Sequence, residues 1–434
     1  MKTVAFYTLG CKVNQYETQA MSELFQKNGY EVVDPSERAD VYVINTCTVT
    51  NLGDRKSRQF IRRSKKKNQD AIIGVVGCYS QISPNEVLEI EGVDIILGTK
   101  DRSKIVELCE KVREEHKKIN LVEDIMQVRE FEELAIEEVK GKTRANLKIQ
   151  EGCNQYCSYC IIPYARGLIR SRKLENIIAE VKKLAKNGFK EIILTGIHVA
   201  SYGKDLGEIR LIDVLETIHD IDGIERIRLS SLEPTLVTEE FMKRLTKLSK
   251  VCDHFHLSLQ SGCDSVLKRM NRKYTTGEYK EIVNIIRKYM PNVAITTDII
   301  VGFPGETEEE FRKTYEFVKD IKFTKIHVFK YSPRTGTPAA KYKNQVDGNI
   351  KNERSHMLIE LGESLTNEFI SNLIGETVEV LFEDNSNDKK GYIEGYTTNY
   401  IKTLAKGDDR EKETIQKVKV NGVDDENILG EIIK

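Results

Sequence analysis

The stretch CNQYCSYC, residues 153–160, decides what the middle of this 434-residue chain can be. It follows ANLKIQ, residues 145–150, whose alternating apolar positions predict a β-strand. Its three cysteines have no fourth His or Cys nearby, whereas zinc sites favour paired C-x-x-C spacings or a fourth such ligand. Three thiolates suit a [4Fe–4S] cube with one open iron. We therefore expect Cys153, Cys157 and Cys160 to ligate such a cluster, with structural zinc as the alternative.

Five further strand-like segments follow this stretch, separated by helix-like segments. They are KEIILTG, IERIRLSS, HFHLSLQ, VAITTDIIVG and KIHVFKYS. Six strands, each followed by a helix, predict a partial version of the parallel TIM-like barrel, a (β/α)6 unit whose reactive groups lie at the C-terminal ends of the strands. We place this domain at residues 142–366.

The region before it has the same βα rhythm and predicts a doubly wound parallel sheet at residues 1–112. Its strand-like segments are KTVAFYTLG, EVVD, DVYVINTC, AIIGVVGC and VDIILG. Residues 113–141 are mostly charged and are interpreted as a linker. The chain is therefore expected to be an α/β multidomain protein.

Cys11, Cys47 and Cys78 each follow one of these strands, in LGC, NTC and VGC. The carboxyl ends of the strands in an open α/β sheet form its ligand crevice, so the three thiols are expected to converge there. The alternative is three ordinary buried cysteines. Cys109, Cys252 and Cys263 show no such pattern and are interpreted as buried inert thiols.

The last part of the chain has short strands and turn residues. The segments ETVEVLF, GYIEGYTT, YIKTLA, QKVKV and NILGEII predict a small all-β barrel at residues 367–434, of the size of an oligonucleotide-binding fold.

Composition excludes some classes of protein. Charged residues make up 31% of the chain, and the apolar runs fall far below the roughly 18–20 residues that a bilayer span requires. The N-terminal segment does not resemble a secretory signal. A cytoplasmic protein without membrane contact is expected, and in a reducing cytosol grouped cysteines are metal ligands or catalytic rather than disulfides.

The three-cysteine loop after the first barrel strand resembles the radical S-adenosylmethionine (SAM) enzymes. Several segments further resemble the methylthiotransferases within that superfamily, along essentially the whole chain: TLGCKVNQYET, NTCTVT, VGCYSQ, HLSLQSGCDSVLKRMNRKYT and TDIIVGFPGET. The resemblance implies a C-terminal TRAM domain and a second [4Fe–4S] cluster on Cys11, Cys47 and Cys78. It also implies the addition of CH3–S to an unactivated carbon, with one SAM as methyl donor and another as the source of a 5′-deoxyadenosyl radical.

In such a barrel the SAM contacts are expected at the strand ends. Tyr159 could pack on the adenine, Thr195 and Gly196 could approach the methionine, and Gly302 could admit the adenine edge. Ser230 with Glu233 could bind the ribose, and Gln260 with Ser261 forms another polar pair.

A run of cations follows Cys47. Residues 55–67 contain no acid, and their cations are predicted to contact RNA phosphates: Arg55, Lys56, Arg58, Arg62, Arg63, Lys65, Lys66 and Lys67. Residues 367–434 carry a net charge of −6 and the rest of the chain carries +5, so the RNA footprint is expected mainly on the first two domains.

The motif GCKVNQYET most resembles the MtaB-type branch of the family, which acts on N6-threonylcarbamoyladenosine, open or cyclised, at tRNA position 37. Arg166, Arg170 or Arg172 would then suit the carboxylate of the threonyl group. The alternatives are a methylthiotransferase acting on isopentenyladenosine in tRNA or on an aspartate of a ribosomal protein, and an iron–sulfur RNA-binding module without turnover. The resemblance implies an electron donor such as flavodoxin or ferredoxin and leaves the sulfur source unknown.

Overall fold

The computed structural model describes residues 1–136, 143–387 and 389–433. The predicted boundary at residue 142 lies outside the described residues. Among those that are described, no helix is both long and apolar enough to cross a membrane.

A six-stranded parallel sheet forms the N-terminal part, in the order β2-β1-β3-β4-β5-β6. Its strands are β1 (Lys2–Thr8), β2 (Tyr30–Val32), β3 (Val41–Thr46), β4 (Ile72–Gly77), β5 (Ile95–Ile96) and β6 (Ile119–Asn120). Every residue of β3 and β4 is buried, as expected for central strands covered on both faces.

Helices cover the two faces of this sheet. They are α1 (Lys12–Lys27), α2 (Asn51–Lys67), α3 (Cys78–Ile82), α4 (Pro84–Leu88) and α5 (Ile105–Glu115). Apolar residues of α1 and α5 pack on one face, whereas Ile61 of α2, Tyr79 of α3 and Val87 of α4 pack on the other. The predicted doubly wound domain is confirmed.

The sheet extends further along the chain than the sequence indicated. Helix α5 ends at Glu115, and β6 pairs with β5 inside the segment interpreted as a linker. A two-residue strand among charged residues has no detectable periodicity, which explains why the pattern did not indicate it.

The middle of the chain contains six parallel strands and one short antiparallel strand, β8. The strands are β7 (Arg144–Glu151), β8 (Arg170–Ser171), β9 (Glu191–Gly196), β10 (Arg226–Leu229), β11 (His254–His256), β12 (Ala294–Val301) and β13 (Lys325–Lys330). Isolated bridges between Ile227 and Val251 and between Leu232 and Leu257 join the sheet containing β10 to the sheet containing β11. The partial (β/α)6 barrel is therefore confirmed.

The helices of this part surround the strands and supply the outer layer of the largest apolar core. They are α6 (Ile162–Arg166), α7 (Leu174–Lys186), α8 (Leu211–His219), α9 (Glu239–Leu245), α10 (Asp264–Arg269), α11 (Thr276–Tyr289), α12 (Glu308–Ile321) and α13 (Gly348–Ser371). Helix α13 continues through the predicted boundary at residue 367.

Five strands close into the predicted C-terminal barrel, in the order β14-β15-β16-β18-β17. They are β14 (Thr377–Asn385), β15 (Tyr392–Thr397), β16 (Lys402–Lys406), β17 (Ile415–Asp424) and β18 (Asn427–Ile432). This barrel docks at the N-terminal ends of the larger barrel's strands. There Arg226 donates to the carbonyl of Tyr396 at 2.9 Å, and Arg228 donates to the carbonyl of Thr398 at 2.8 Å.

Candidate active site at two cysteine triads

The first triad, Cys153, Cys157 and Cys160, lies in the loop that leaves the end of β7. Gly152 starts the loop with a φ of +73°, and a Cβ atom there would lie 1.9 Å from the carbonyl oxygen of Leu168. Only glycine fits this turn, because it combines a left-handed backbone with a close approach of two chain segments.

The surroundings of this triad supply hydrogen-bond donors to sulfur. Backbone N–H groups of Gln155 and Ile162 act to lower the pKa of Cys153 and of Cys160, and Arg272 Nη1 lies 3.3 Å from Cys157 Sγ. Donors of this kind stabilise the negative sulfur ligands of an iron–sulfur cluster.

Burial raises the pKa of Cys153 to about 11 and that of Cys160 to about 12. The free thiols are therefore held protonated, and a bound metal cluster would reverse this by coordinating the thiolates. Among the described residues, no three His, Cys, Asp or Glu side chains are arranged to hold a single metal ion. Three thiolates are ligands of the kind that an iron–sulfur cluster uses.

Arg272 is fixed by Glu233, whose carboxylate lies 2.9 Å from Arg272 Nη2. His198 Nε2 lies 3.5 Å from the same carboxylate. Glu233, predicted with Ser230 as an acceptor pair for ribose hydroxyls, already holds Arg272 against the cysteine loop. Arg272 was not among the predicted site residues, although it lies in the NRKYT part of a motif that carried the family resemblance.

Two more of the predicted SAM contacts are engaged elsewhere. Ser261 is fully buried, and its hydroxyl lies 3.2 Å from that of Thr314 in α12, turned away from the barrel interior. Gly302 has a φ of +69°, but a Cβ atom there would lie 2.3 Å from Cγ of Lys351 in α13. The close approach that glycine permits is therefore made by Lys351.

The remaining predicted contacts fall into two groups. Thr195, Gly196 and Ser230 line a central cavity, and the buried Ser230 hydroxyl has no hydrogen-bond partner within the described parts of the chain. Tyr159 instead packs against the small apolar cluster of Cys263 and its neighbours. Gln260 has a φ of +72° and takes its place in the barrel through backbone bonds to β12.

Cys11, Cys47 and Cys78 follow β1, β3 and β4 at one edge of the N-terminal sheet. A Cβ atom on Gly10 would lie 3.3 Å from Cys47 Sγ, and one on Gly77 would lie 2.6 Å from the carbonyl of Thr46. Both glycines have φ above +100°, so each lets its chain turn tightly into the following cysteine.

The three thiols are close enough to influence one another. Burial raises the pKa of Cys78 to about 12, and negative charge on Cys47 and Cys11 adds to the shift. Arg166 opposes it, with Nε 3.1 Å from Cys78 Sγ. Each triad thus has one arginine on one of its sulfurs: Arg166 on Cys78 and Arg272 on Cys157.

Arg166 belongs to a buried charge cluster that joins the two domains. Its members are Glu17, Arg102, Lys148, Glu151 and Arg166. Arg166 Nη1 lies 2.6 Å from Glu17 Oε1 and 3.2 Å from Glu151 Oε2, and Arg102 Nη1 lies 2.5 Å from Glu17 Oε1. The pKa of Glu17 is held well below its usual range by these cations, although burial opposes the shift.

None of the three arginines proposed for a substrate carboxylate is accessible. Arg166, Arg170 and Arg172 are at most 2% exposed. Arg170 Nη2 donates to the carbonyl of Arg166, and Arg172 pairs with Glu133 and Glu180. All three side chains are enclosed and paired within the protein, which does not favour the predicted role in binding a substrate carboxylate.

The central cavity has a volume of about 670 Å³ and is lined by all three domains. Cys11 and Lys12 line it from the N-terminal domain. The larger barrel adds the ends of β9 and β10 and the interior side chains of β11 to β13, and the loop containing Tyr400 closes it from the C-terminal barrel. A cavity of this size accommodates a small-molecule ligand.

Helix α2 presents part of the predicted basic surface. Its exposed cations are Arg55, Lys56, Arg62, Arg63 and Lys66, and no ion pair joins them to the described residues. The other three are held by the protein: Arg58 by Glu86 and Tyr79, Lys65 by the carbonyl of Ala71, and Lys67 by the carbonyl of Pro35. The outward face is therefore narrower than predicted.

Comparison with known proteins gives matches over almost the whole chain. Residues 147–318 match the radical SAM superfamily, and residues 3–98 match "Uncharacterized protein family UPF0004". The chain is 49% identical, over 97% of its length and 94% of the relative, to threonylcarbamoyladenosine tRNA methylthiotransferase MtaB of Bacillus subtilis. It is 43% identical to the MtaB of Aquifex aeolicus, over 91% of this chain and 97% of that relative.

A differently named relative is also similar. The tRNA-2-methylthio-N(6)-dimethylallyladenosine synthase of a Thermoanaerobacter species is 42% identical over 87% of this chain and 81% of that protein. Among solved structures, the radical SAM methyltransferase TsrM of Kitasatospora setae superposes with a TM-score of 0.59 at 17% identity. It covers 78% of this chain and 77% of TsrM, and the likeness concerns the fold alone.

Proposed function

Because the chain belongs to the radical SAM tRNA methylthiotransferase family of the MtaB type, we propose that it adds a CH3–S group to C2 of N6-threonylcarbamoyladenosine, open or cyclised, at position 37 of tRNA. The observation that carries the proposal is the pair of separate cysteine triads. One borders the C-terminal end of the barrel, and the other contributes Cys11 to the central cavity.

Cys153, Cys157 and Cys160 would hold the [4Fe–4S] cluster that the superfamily uses with SAM. When bound, that cluster supplies the electron that cleaves SAM and starts removal of hydrogen from the target carbon. The residues around it orient and shield: Arg272 hydrogen-bonds to Cys157 Sγ, and Glu233 fixes Arg272. Thr195 and Ser230, which line the cavity, are the best-placed contacts for SAM or substrate.

Cys11, Cys47 and Cys78 would hold a second [4Fe–4S] cluster that carries the sulfur to be transferred. Helix N-termini support this, since Cys11 directly precedes α1 and Cys78 is the first residue of α3. Replacing all three cysteines by serine should abolish CH3–S transfer but leave the formation of 5′-deoxyadenosine from SAM. This contrast separates the second cluster from the first.

The tRNA would approach over the exposed cations of α2, which follows Cys47. A tRNA substrate would place the activity in the cytoplasm, with a reductant such as flavodoxin or ferredoxin. One alternative is isopentenyladenosine in tRNA, which has support from the 42% identical relative named for dimethylallyladenosine.

The experiment is mass spectrometry of tRNA nucleosides. Anaerobically reconstituted, reduced protein and SAM are incubated with tRNA from cells lacking the gene. A gain of CH3–S on threonylcarbamoyladenosine is expected. A gain on isopentenyladenosine, or accumulation of 5′-deoxyadenosine with tRNA unchanged, would overturn the substrate assignment.

A further inference from the structure

The central cavity contains one lysine that lacks an acidic partner. Of the three lysines that line it, Lys325 pairs with Glu426 at 2.6 Å and Lys402 pairs with Glu394 at 3.0 Å. No carboxylate of the described residues lies within ion-pair distance of Lys12, whose ammonium lies 5.4 Å from the centroid of the Tyr400 ring. An aromatic face satisfies a cation only in part, which leaves Lys12 free to bind an anion.

Lys12 lies where its charge could contact a bound substrate. Lys12 follows Cys11 directly, and both residues line the cavity together with Thr195 and Ser230 at the barrel strand ends. The cavity therefore connects Lys12 and Tyr400 with these strand ends, and the N6 substituent of a base held at the strand ends would extend into it towards Lys12.

The candidate substrates differ in charge at that substituent. Open N6-threonylcarbamoyladenosine has a free carboxylate, whereas its cyclised form and isopentenyladenosine have none. A cavity that holds an unpaired ammonium favours the anionic ligand and leaves a charge uncompensated when a neutral one binds.

We infer that Lys12 recognises the carboxylate of the open threonylcarbamoyl group and so sets the preference for that nucleoside over its neutral counterparts. This inference rests on the proposed function, because it concerns the same cavity and substrate. It replaces Arg166, Arg170 and Arg172, which are enclosed by the protein, with a cation that faces the cavity.

The test compares anticodon stem-loop RNAs that carry open threonylcarbamoyladenosine, its cyclised form or unmodified adenosine at position 37. Affinity for the reconstituted holoenzyme is measured by fluorescence anisotropy without oxygen. The unchanged protein is expected to bind the open form at least about tenfold more tightly than either neutral RNA. Equal affinities in the unchanged protein would overturn the inference without any substitution being made.

The variants then assign the preference to one side chain. Lys12→Met should remove the preference, mainly by raising the KM of the open form, while Lys12→Arg should restore most of it. Lys27→Met, at the far end of α1, is the matched control and should keep the preference. Iron content and 5′-deoxyadenosine formation are measured alongside, so that damage to the neighbouring Cys11 is recognised.

The outcomes separate this inference from the proposed function. If the unchanged protein adds CH3–S to threonylcarbamoyladenosine and Lys12→Met keeps the full preference for the carboxylate, the role of Lys12 is wrong and the function stands. If the unchanged protein adds no CH3–S to this nucleoside, the proposed function fails first.

Discussion

Glu17 contacts three cations, Arg102, Lys148 and Arg166, at a point that solvent does not reach. Each cation comes from a different segment, so this one carboxylate connects the N-terminal domain to β7 and α6. A buried charge group is tolerated only when nearly all its members are paired.

We therefore expect Glu17→Gln to lower the free energy of unfolding by about 3–5 kcal/mol, because three buried cations lose a shared partner. Urea unfolding of the purified protein measures this. Glu110→Gln is the control, since Glu110 forms surface pairs with Lys2 and Arg113, and a cost below about 1 kcal/mol is expected there. Equal costs for the two variants would contradict the structural role of Glu17.

Single residues were predictable where their chemistry is local. The spacing of Cys153, Cys157 and Cys160 indicates their role without any knowledge of the fold. The partners of Arg166 and Glu233 are distant in sequence. The order of charged residues along the chain therefore could not reveal that both side chains are already paired within the protein. The same limitation hid Lys12, because the order of residues does not show that no carboxylate of the described residues lies within ion-pair distance of it.

At the scale of elements, the start of α12 shows how one carboxylate can serve two purposes. Glu310 accepts from the backbone N–H of Thr307 in a capping box and pairs with Arg269 at 2.7 Å. The hydrogen bond from Arg269 is the largest cause that lowers the pKa of Glu310 to about 2.

This depressed pKa predicts a specific pH dependence. The unfolded chain takes up the proton near its usual pKa of about 4.5, so the stabilisation is complete above that pH and is lost as the pH falls towards 2. The difference in unfolding free energy between the unchanged protein and Glu310→Gln should therefore shrink between pH 5 and pH 2.5. A constant difference over this range would contradict it.

Helix α2 yields the prediction about RNA. Changing its five exposed cations to glutamine should weaken tRNA binding by at least about tenfold and should reduce the slope of log affinity against log salt by roughly 0.7–0.9 for each lost phosphate contact. The five are Arg55, Lys56, Arg62, Arg63 and Lys66.

The matched control for α2 removes three exposed lysines around the end of α5, Lys111, Lys117 and Lys118. It should leave both affinity and slope nearly unchanged. Filter binding at several salt concentrations measures both sets, and similar losses in the two would mean that the attraction is non-specific.

Element types were largely predictable, since βα alternation and short strands with turns have clear periodicity. The exceptions are informative. Strands β6 and β8 have two residues each, which is too short for a periodic pattern. The set of cations that α2 exposes could not be predicted either, because Glu86 and two backbone carbonyls hold three of them.

At the scale of the whole molecule, Arg334 fastens the larger barrel to the N-terminal domain close to Cys47. Its guanidinium contacts Thr48 at 2.6 Å, and it lies 2.5 Å from both Asn51 and Asp54. This contact controls how firmly the Cys47 segment is held against the barrel.

We expect Arg334→Met to speed backbone amide exchange in residues 48–57 by about ten- to a hundredfold, because Asp54 loses its buried partner. Hydrogen–deuterium exchange with mass spectrometry measures this. Arg312→Met, which breaks an exposed pair with Glu308, should leave those residues unchanged. Unaltered exchange in both variants would show that the domains are held together elsewhere.

The arrangement of domains was the least predictable level. Sequence patterns identify three units but contain no information on which faces meet, and the contacts that decide this, such as Arg228 with the carbonyl of Thr398, join residues 170 positions apart.

The 24-residue helix α13 runs without interruption from the larger barrel to the start of the smaller one. The length of this helix therefore sets both the distance and the relative rotation between the two barrels, because each added residue advances the chain by about 1.5 Å and turns it by about 100°. A single insertion would swing the small barrel away from Arg226 and Arg228, whereas a substitution on the outer face of the helix would not. Exchange of C-terminal barrels between related enzymes would therefore succeed only when the helix length is conserved.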